Sequence, residues 1–392
     1  MQHILTLNAI SDAIYEALKP ERYVVSDHEE DPAAILVRSA DCRNRPINPS
    51  LLAIARAGAG VNNIPVSKCT DAAVAVFNTP GANANAVKEL ALCCMLLASR
   101  NVLEGVAWAN GLSGDDIVLQ VEQGKRKFVG SELYGKKLAV IGLGAIGVMV
   151  ANDADAIGMQ VYGYDPFISV EHAWGLSRTV CRAGSLEEIL PQCDYVTIHV
   201  PLMDATKHFI NARALSLMKP GAILLNLARG ELADTKAVLD AINAGALSRY
   251  VTDFPEAELL NRPGVICVPH LGATTPESEE NCARMAARAL DDYLTYGNIT
   301  NSVNLPQCVM PPSGSYRVCA LHRNITNMVG QITAVIAAAD GNITNMINKS
   351  RKDIAYSILD LDCPLPAQAH ARLNQIEGML RVRTFCLDPE LC

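Results

Sequence analysis

Three side chains each follow a short apolar run, and their types together suit the oxidation of a hydroxyl next to a carboxylate. Arg229 follows Ile223-Leu224-Leu225-Asn226-Leu227-Ala228, Glu258 lies beyond the run that ends at Asp253, and His270 follows Val265-Ile266-Cys267-Val268-Pro269. An arginine offers a planar two-pronged donor that matches a carboxylate. A histidine can take the hydroxyl proton near neutral pH. A carboxylate beside it can orient the ring and stabilise the imidazolium. Glu256 competes with Glu258 for that last role, and Asp253 is a third candidate. Taken singly, Arg229 and His270 fit a bland capping role as well as a catalytic one. Their shared position after successive strands favours chemistry, because doubly wound sheets bind ligands at the strand ends.

Oxidation by hydride removal requires an acceptor, and the sequence contains a place for one. Leu138-Ala139-Val140-Ile141 runs into Gly142-Leu143-Gly144-Ala145-Ile146-Gly147, the Gly-x-Gly-x-x-Gly pattern between a strand and a helix. Gly142 permits the tight turn, Gly144 lets backbone approach a pyrophosphate, and Gly147 lets the helix pack on the strand. Asp165 ends the next strand and suits the ribose hydroxyls. No arginine follows it in Pro166-Phe167-Ile168, so NAD is expected rather than NADP.

The elements that must position these groups alternate between strand and helix. From Lys137 to His270 the repeat predicts a doubly wound parallel Rossmann sheet. Residues 1–82 predict a second α/β unit, with strands at Ile4–Leu7, Ile35–Val37 and Val74–Phe77 and a helix near Leu51–Ala57. A long helix follows from about Asn85 to Val102. Residues 282–304 return the chain to the first unit, which makes it discontinuous around an NAD-binding domain at 83–281. Leu305 to Ser315 carries three prolines and reads as a linker. Residues 316–392 then read as β-α-β-β-α-β, a ferredoxin-like order. The expected fold class is α/β throughout: a Rossmann domain, a discontinuous flavodoxin-like substrate domain and a C-terminal ferredoxin-like domain.

Composition narrows the function classes. The 392 residues carry 33 Lys and Arg against 41 Asp and Glu, a formal charge of −8 with no long basic run, so no nucleic-acid partner is expected. The longest apolar run, Leu90–Ala98, is far shorter than the roughly 20 residues of a membrane span, so no membrane partner is expected either. Met1 to Asn8 lacks the features of a secretory leader, which points to a cytoplasmic location. The thirteen cysteines show no Cys-x-x-Cys spacing and read as reduced, buried thiols; no metal site is expected.

The glycine loop, Leu227-Ala228-Arg229-Gly230-Glu231 and Pro269-His270-Leu271-Gly272-Ala273 together resemble the signatures of the D-2-hydroxyacid dehydrogenase family. The resemblance implies catalytic roles for Arg229, Glu258 and His270. It places Gly142, Gly144, Ala145, Ile146, Gly147, Asp165, Leu227, Ala228, Arg229, Asp253, His270, Gly272 and Ala273 around NAD, with Asp253 on the nicotinamide side. It also implies substrate contacts from Arg38, Ser39 and Asn62. Where the family usually reads Asp-Val-Phe-x-x-Glu-Pro, this chain has Asp253-Phe254-Pro255-Glu256-Ala257-Glu258, so Glu256 stays open beside Glu258.

The C-terminal unit resembles the ACT domain carried by the branch of that family that oxidises D-3-phosphoglycerate to 3-phosphohydroxypyruvate, the entry to L-serine. That branch implies a phosphorylated 2-hydroxy acid as substrate, L-serine as an effector at His322, Asn324 and Asn342, and a homo-oligomer. Arg38-Ser39 matches the family's Arg-Ser pair, while Ala40 stands where a second arginine is usual. Two alternatives stay open: a hydroxypyruvate or glyoxylate reductase, and a non-catalytic NAD(H)-sensing regulatory protein.

Overall fold

The computed structural model describes residues 1–388, so the last four positions of the expected 316–392 domain lie outside the described residues. The chain forms two compact units, Met1–Ala82 with Pro276–Cys392, and Asn83–Thr275. The chain therefore passes back to the first unit at Pro276, where the helix Pro276–Tyr296 begins, rather than at residue 282.

In the first unit, β1 (Gln2–Leu7), β2 (Tyr23–Ser26), β3 (Ala34–Val37), β4 (Ala53–Arg56) and β5 (Ala75–Phe77) form a parallel sheet in the order β2-β1-β3-β4-β5. This is the flavodoxin-like order. The helix expected near Leu51–Ala57 is instead β4, inside the sheet. Ala53, Ile54 and Ala55 are buried on both faces, and a short apolar run of that kind has no periodicity to separate strand from helix.

The second unit holds β6 (Lys137–Ile141), β7 (Gln160–Tyr164), β8 (Cys181–Arg182), β9 (Tyr195–Ile198), β10 (Ala222–Asn226), β11 (Leu247–Thr252) and β12 (Val265–Cys267). These seven strands run parallel in the order β12-β11-β10-β9-β6-β7-β8. The order reverses between β6 and β9, which makes the ends of those strands the expected ligand crevice. The helix Ala84–Arg100 buries Ala91, Cys94, Met95 and Ala98 in the core on one face of this sheet. No single helix among the described residues is long and apolar enough to cross a membrane.

The C-terminal strands β13 (Tyr316–Arg323), β14 (Ile343–Arg351), β15 (Ile354–Leu361) and β16 (Met379–Cys386) form an antiparallel sheet in the order β14-β15-β13-β16, with the helices Met328–Ala337 and Ala367–Asn374 between them. One face of this sheet packs on those helices through Val318, Ala320, Ile332, Ile336 and Leu373. The other face contributes Cys319, Leu321, Tyr356 and Ile358 to the core that contains Ile4, Phe77 and Tyr293. The stretch expected as a linker is part of that joint: Leu305, Cys308 and Met310 are buried, and Ile299 bridges Cys308. Its prolines break regular structure without exposing it, because apolar residues between them reach the core.

Eleven cysteines among the described residues are free thiols. Cys386, exposed at the end of β16, is disulfide-bonded and departs from the all-reduced expectation.

Candidate active site

The glycine loop leaves β6 as the pattern requires. Gly142 has φ +92°, and a Cβ there would stand 2.7 Å from the His199 carbonyl carbon and oxygen. A Cβ on Gly147 would lie 1.9 Å from the Gly142 oxygen, so the helix Ala145–Ala156 can approach β6 only with glycine at that position. Gly144 differs from both: nothing lies within 4 Å of where its Cβ would be. It leaves an open cradle at the helix N-terminus, where Ala145 and Ile146 present first-turn N–H groups that have no acceptor within the helix. Asp165 closes the loop from the end of β7, accepting from the Leu143 N–H and the Phe167 N–H at 2.8 Å each. A carboxylate retains lone pairs for ribose hydroxyls after two such bonds.

The reacting groups gather at the ends of β10, β11 and β12. The fully buried Asn226 holds the turn after β10: its Nδ2 donates to the Arg229 carbonyl at 2.8 Å, and its Oδ1 accepts from the Ala228 N–H at 3.3 Å. Leu227 anchors the turn in the core, and the exposed Arg229 guanidinium donates to the Ala228 carbonyl at 2.6 Å. Asp253, one residue past β11, is 1 % exposed. Burial raises its carboxyl above the usual 3.8, while the His270 and Arg229 charges and the Gly272 N–H oppose that shift. Its Oδ1 is buried without a hydrogen-bond partner. Such an atom is held at a cost that a donor from a ligand or water offsets.

His270 is exposed and has φ +45°, a left-handed backbone that few non-glycine residues adopt. Its ring packs on Phe254, centroid to centroid 4.8 Å at 56°. Gly272 lies close to two side chains: a Cβ there would stand 3.3 Å from Val87 and 3.5 Å from the Asp253 Oδ2. Ala273 follows, half-buried. Of the two glutamates, Glu256 accepts from the Thr235 hydroxyl at 2.9 Å, and Glu258 is exposed in the turn beyond it. Among the described residues, no hydrogen bond or ion pair joins Glu256, Glu258 or Asp253 to His270, while the His270 charge acts to lower the Asp253 carboxyl.

The structure thus brings Arg229, Asp253, His270 and Gly272 together. Phe254 and Asn226 were missed by sequence reasoning. The position of Phe254 right after Asp253 was the one available signal.

Arg38, Ser39 and Asn62 lie in the other unit, at the ends of β3 and β4. Arg38 Nη2 pairs with Glu279 Oε1 at 2.7 Å. Ser39 donates its N–H to Asn8 Oδ1 at 3.0 Å, and Asn62 is exposed.

The three expected effector residues are spread across the C-terminal sheet. His322 is buried, with Nδ1 2.8 Å from the Arg323 carbonyl and Nε2 3.1 Å from Ser357 Oγ, and burial lowers its pKa. Asn324 donates to the Lys352 carbonyl at 3.0 Å. Asn342 sits at the opposite end, beside Asp362, because β14 starts opposite Leu361 whereas Arg323 lies opposite Ile354. Eight residues of strand separate the two ends, roughly 25 Å.

A glycine cradle and a ribose-side acid at the reversal point of a parallel sheet, with a histidine, an arginine and a buried aspartate on adjacent strand ends, define a dinucleotide-dependent dehydrogenase site. Residues 92–272 match the D-isomer specific 2-hydroxyacid dehydrogenase NAD binding domain, and a D-3-phosphoglycerate dehydrogenase of Haemophilus influenzae is 30% identical over 389 residues, 95% of this chain and 89% of the relative. The chain belongs to the D-isomer specific 2-hydroxyacid dehydrogenase family. A D-3-phosphoglycerate dehydrogenase of Methanocaldococcus jannaschii is 34% identical over 337 residues; that match covers 84% of this chain but only 60% of the relative. The crystal structure of NAD+-bound 3-phosphoglycerate dehydrogenase from Entamoeba histolytica superposes with a TM-score of 0.59 at 25% identity, covering 77% of this chain and 98% of that one. The D-mandelate dehydrogenase of Rhodotorula graminis shares the fold at 23% identity, with a TM-score of 0.65 over 80% of this chain and 99% of that one. NAD is the cofactor, and the open Gly144 cradle, Asp165 and the unpartnered Asp253 oxygen fit it.

Proposed function

We propose that this chain is an NAD-dependent dehydrogenase that oxidises D-3-phosphoglycerate to 3-phosphohydroxypyruvate, in the cytosol, at the entry to L-serine synthesis. The observation that carries the dehydrogenase reading is the buried Asp253, whose carboxyl feels the charges of both Arg229 and His270, at the strand ends of the sheet that bears the glycine cradle. The named activity of the two relatives supports the substrate. Bound NAD supplies the hydride acceptor. Arg229 holds the substrate carboxylate, His270 takes the hydroxyl proton, and Asp253 orients the site from below. Glu258, or Glu256 in its place, is the family-derived partner of His270. Exchanging each for Gln separates them, since only the partner's loss alters the pH profile of turnover.

Residues 1–82 with the return segment form the substrate domain in this reading. Residues 83–275 form the cofactor domain, and the C-terminal sheet is an ACT-like regulatory domain responsive to L-serine. Because Asn324 and Asn342 stand at opposite ends of one sheet, an effector that touches both requires a second chain. A homo-oligomer also accounts for the helix Val102–Asn110, which buries no residue, and for the exposed Val106, Val118 and Val129 around it.

A specific observation favours a second reading, reduction of hydroxypyruvate or glyoxylate: Arg38 is paired with Glu279 and Ala40 supplies no second cation. NADH formation from D-3-phosphoglycerate, with D-glycerate as control and L-serine added afterwards, tests all of this. Turnover that requires the phosphate is expected. Equal turnover of both substrates supports the reductase reading, and no turnover in either direction with NADH still bound sinks both.

A further inference from the structure

The C-terminal end of the first sheet contains an arginine that no motif singled out. Arg56 is the last residue of β4, half-buried, and its guanidinium points back over its own loop. Its Nε donates to the Arg38 carbonyl at 2.9 Å, and its Nη1 donates to the Gly60 carbonyl. Gly58 makes room for this: a Cβ there would stand 3.3 Å from Nη1 and 3.4 Å from Cζ. One rigid, planar group therefore ties the β3 loop, which contains Arg38 and Ser39, to the β4 loop, which contains Gly60 and Asn62.

The β3 loop is also fastened from two other sides. Asn8, in a left-handed backbone at the end of β1, accepts from the Ser39 and Ala40 N–H groups at 3.0 and 2.6 Å. Asn63 Nδ2 donates to the Ala40 carbonyl at 2.7 Å, and the Asn63 carbonyl accepts from the Cys42 N–H at 2.8 Å. On the β4 loop, Asn78 Nδ2 donates to the Ala59 carbonyl at 2.6 Å and Thr79 N–H to the Gly58 carbonyl at 3.1 Å. Asn63 thus ties its own loop to the β3 loop at the far side, and Arg56 does so at the strand ends, with a charged group bonded to both loops that contain the proposed substrate contacts.

We propose that Arg56 is a positioning residue that sets the spacing between these loops, and so the preference for a phosphorylated over an unphosphorylated 2-hydroxy acid. The inference rests on the reading above, in which Arg38, Ser39 and Asn62 meet the substrate. A charge-assisted bond to each loop is short and directional, so the fork fixes a distance that a single-point cation does not. With Arg38 paired to Glu279 and Ala40 uncharged, phosphate recognition in this loop falls to backbone N–H groups, the Ser39 hydroxyl and the exposed edge of Arg38, all of which depend on loop placement.

The test compares Arg56→Gln and Arg56→Lys with the unaltered full chain, using D-3-phosphoglycerate and D-glycerate as substrates, NADH fluorescence for cofactor binding and thermal melting for folding. Loss of ground-state contacts raises KM while leaving kcat, so Arg56→Gln should raise KM for D-3-phosphoglycerate roughly tenfold or more with kcat within about threefold. The effect on D-glycerate is smaller, NADH affinity is unchanged, and Arg56→Lys, which keeps the charge on a single donor nitrogen, falls between. Lysine also serves if the glutamine variant does not fold. Arg38→Ala is the control for the parent reading. If it raises KM while both Arg56 variants are folded and inert, the inference is overturned and the parent reading stands. If Arg38→Ala and the Arg56 variants are all inert, both are overturned. Equal losses on both substrates, with kcat falling alongside, reduce Arg56 to a general structural role and also overturn the inference.

Discussion

Two arginine–aspartate settings in this chain use the same chemistry for opposite ends. Arg317 and Asp360 are both fully buried, 2.6 Å apart from Nε to Oδ1, and every side of the pair is occupied. Asp360 also accepts from the Ser313 N–H and hydroxyl, while Arg317 donates to the Tyr296 and Met310 carbonyls. Around Asp253 the arrangement is the reverse: the acid is buried, its Oδ1 has no partner, and Arg229 and His270 face solvent. A buried charge whose bonding capacity is filled holds segments together, here the 296–313 connection against the C-terminal sheet. A buried acid left partly unbonded beside exposed cations has capacity for a further donor.

The contrast is broken most directly by exchanging roles. His270→Asn should lower kcat about 10²- to 10⁴-fold, the usual share of a positioned proton acceptor, with no change in melting temperature. A matching loss of stability would place His270 with the structural set. Asp360→Ala should cost about 3–5 kcal/mol in urea denaturation, because it strands the Arg317 charge, and should leave NADH affinity of the folded protein intact. Unchanged stability would remove the distinction from the other side.

The smallest effect concerns His199, beside Gly142. Burial pushes its pKa down from 6.5 to about 4, and its Nδ1 is buried without a partner. An unfolded chain takes up a proton near pH 6.5 that the folded chain refuses until about 4, so stability is lost as pH falls through that window. His199→Gln should flatten the melting temperature between pH 6.5 and 4. A profile unchanged by the substitution would show that His199 accepts its proton while folded.

Much of the fold was legible because it rests on local rules. The β-α-β-β-α-β order, the strand-glycine-helix unit and the strand ends that bear Arg229 and His270 all follow from short-range pattern and turn chemistry. The misreadings share a different cause. The stretch near Leu51–Ala57 reads as a helix, and Leu305–Ser315 as a linker, because burial on two faces or between prolines leaves no periodic trace in the chain. The carboxylate beside His270 stays open among Glu256, Glu258 and Asp253, because counting along the sequence does not show that packing puts Phe254 against the ring.

By itself, then, the sequence determined the family signatures, the NAD cradle and the residue types available for chemistry, since glycines at a turn and side chains at strand ends act through neighbours close in the chain. Only the tertiary structure decided which charges are already spent and which are waiting. Arg38 on Glu279, Arg317 on Asp360 and Arg56 across two loops are bonds between residues far apart in sequence, or around a bend that backbone geometry alone closes. Whether an ionised group is satisfied depends on what the fold packs against it, and residue type does not encode that.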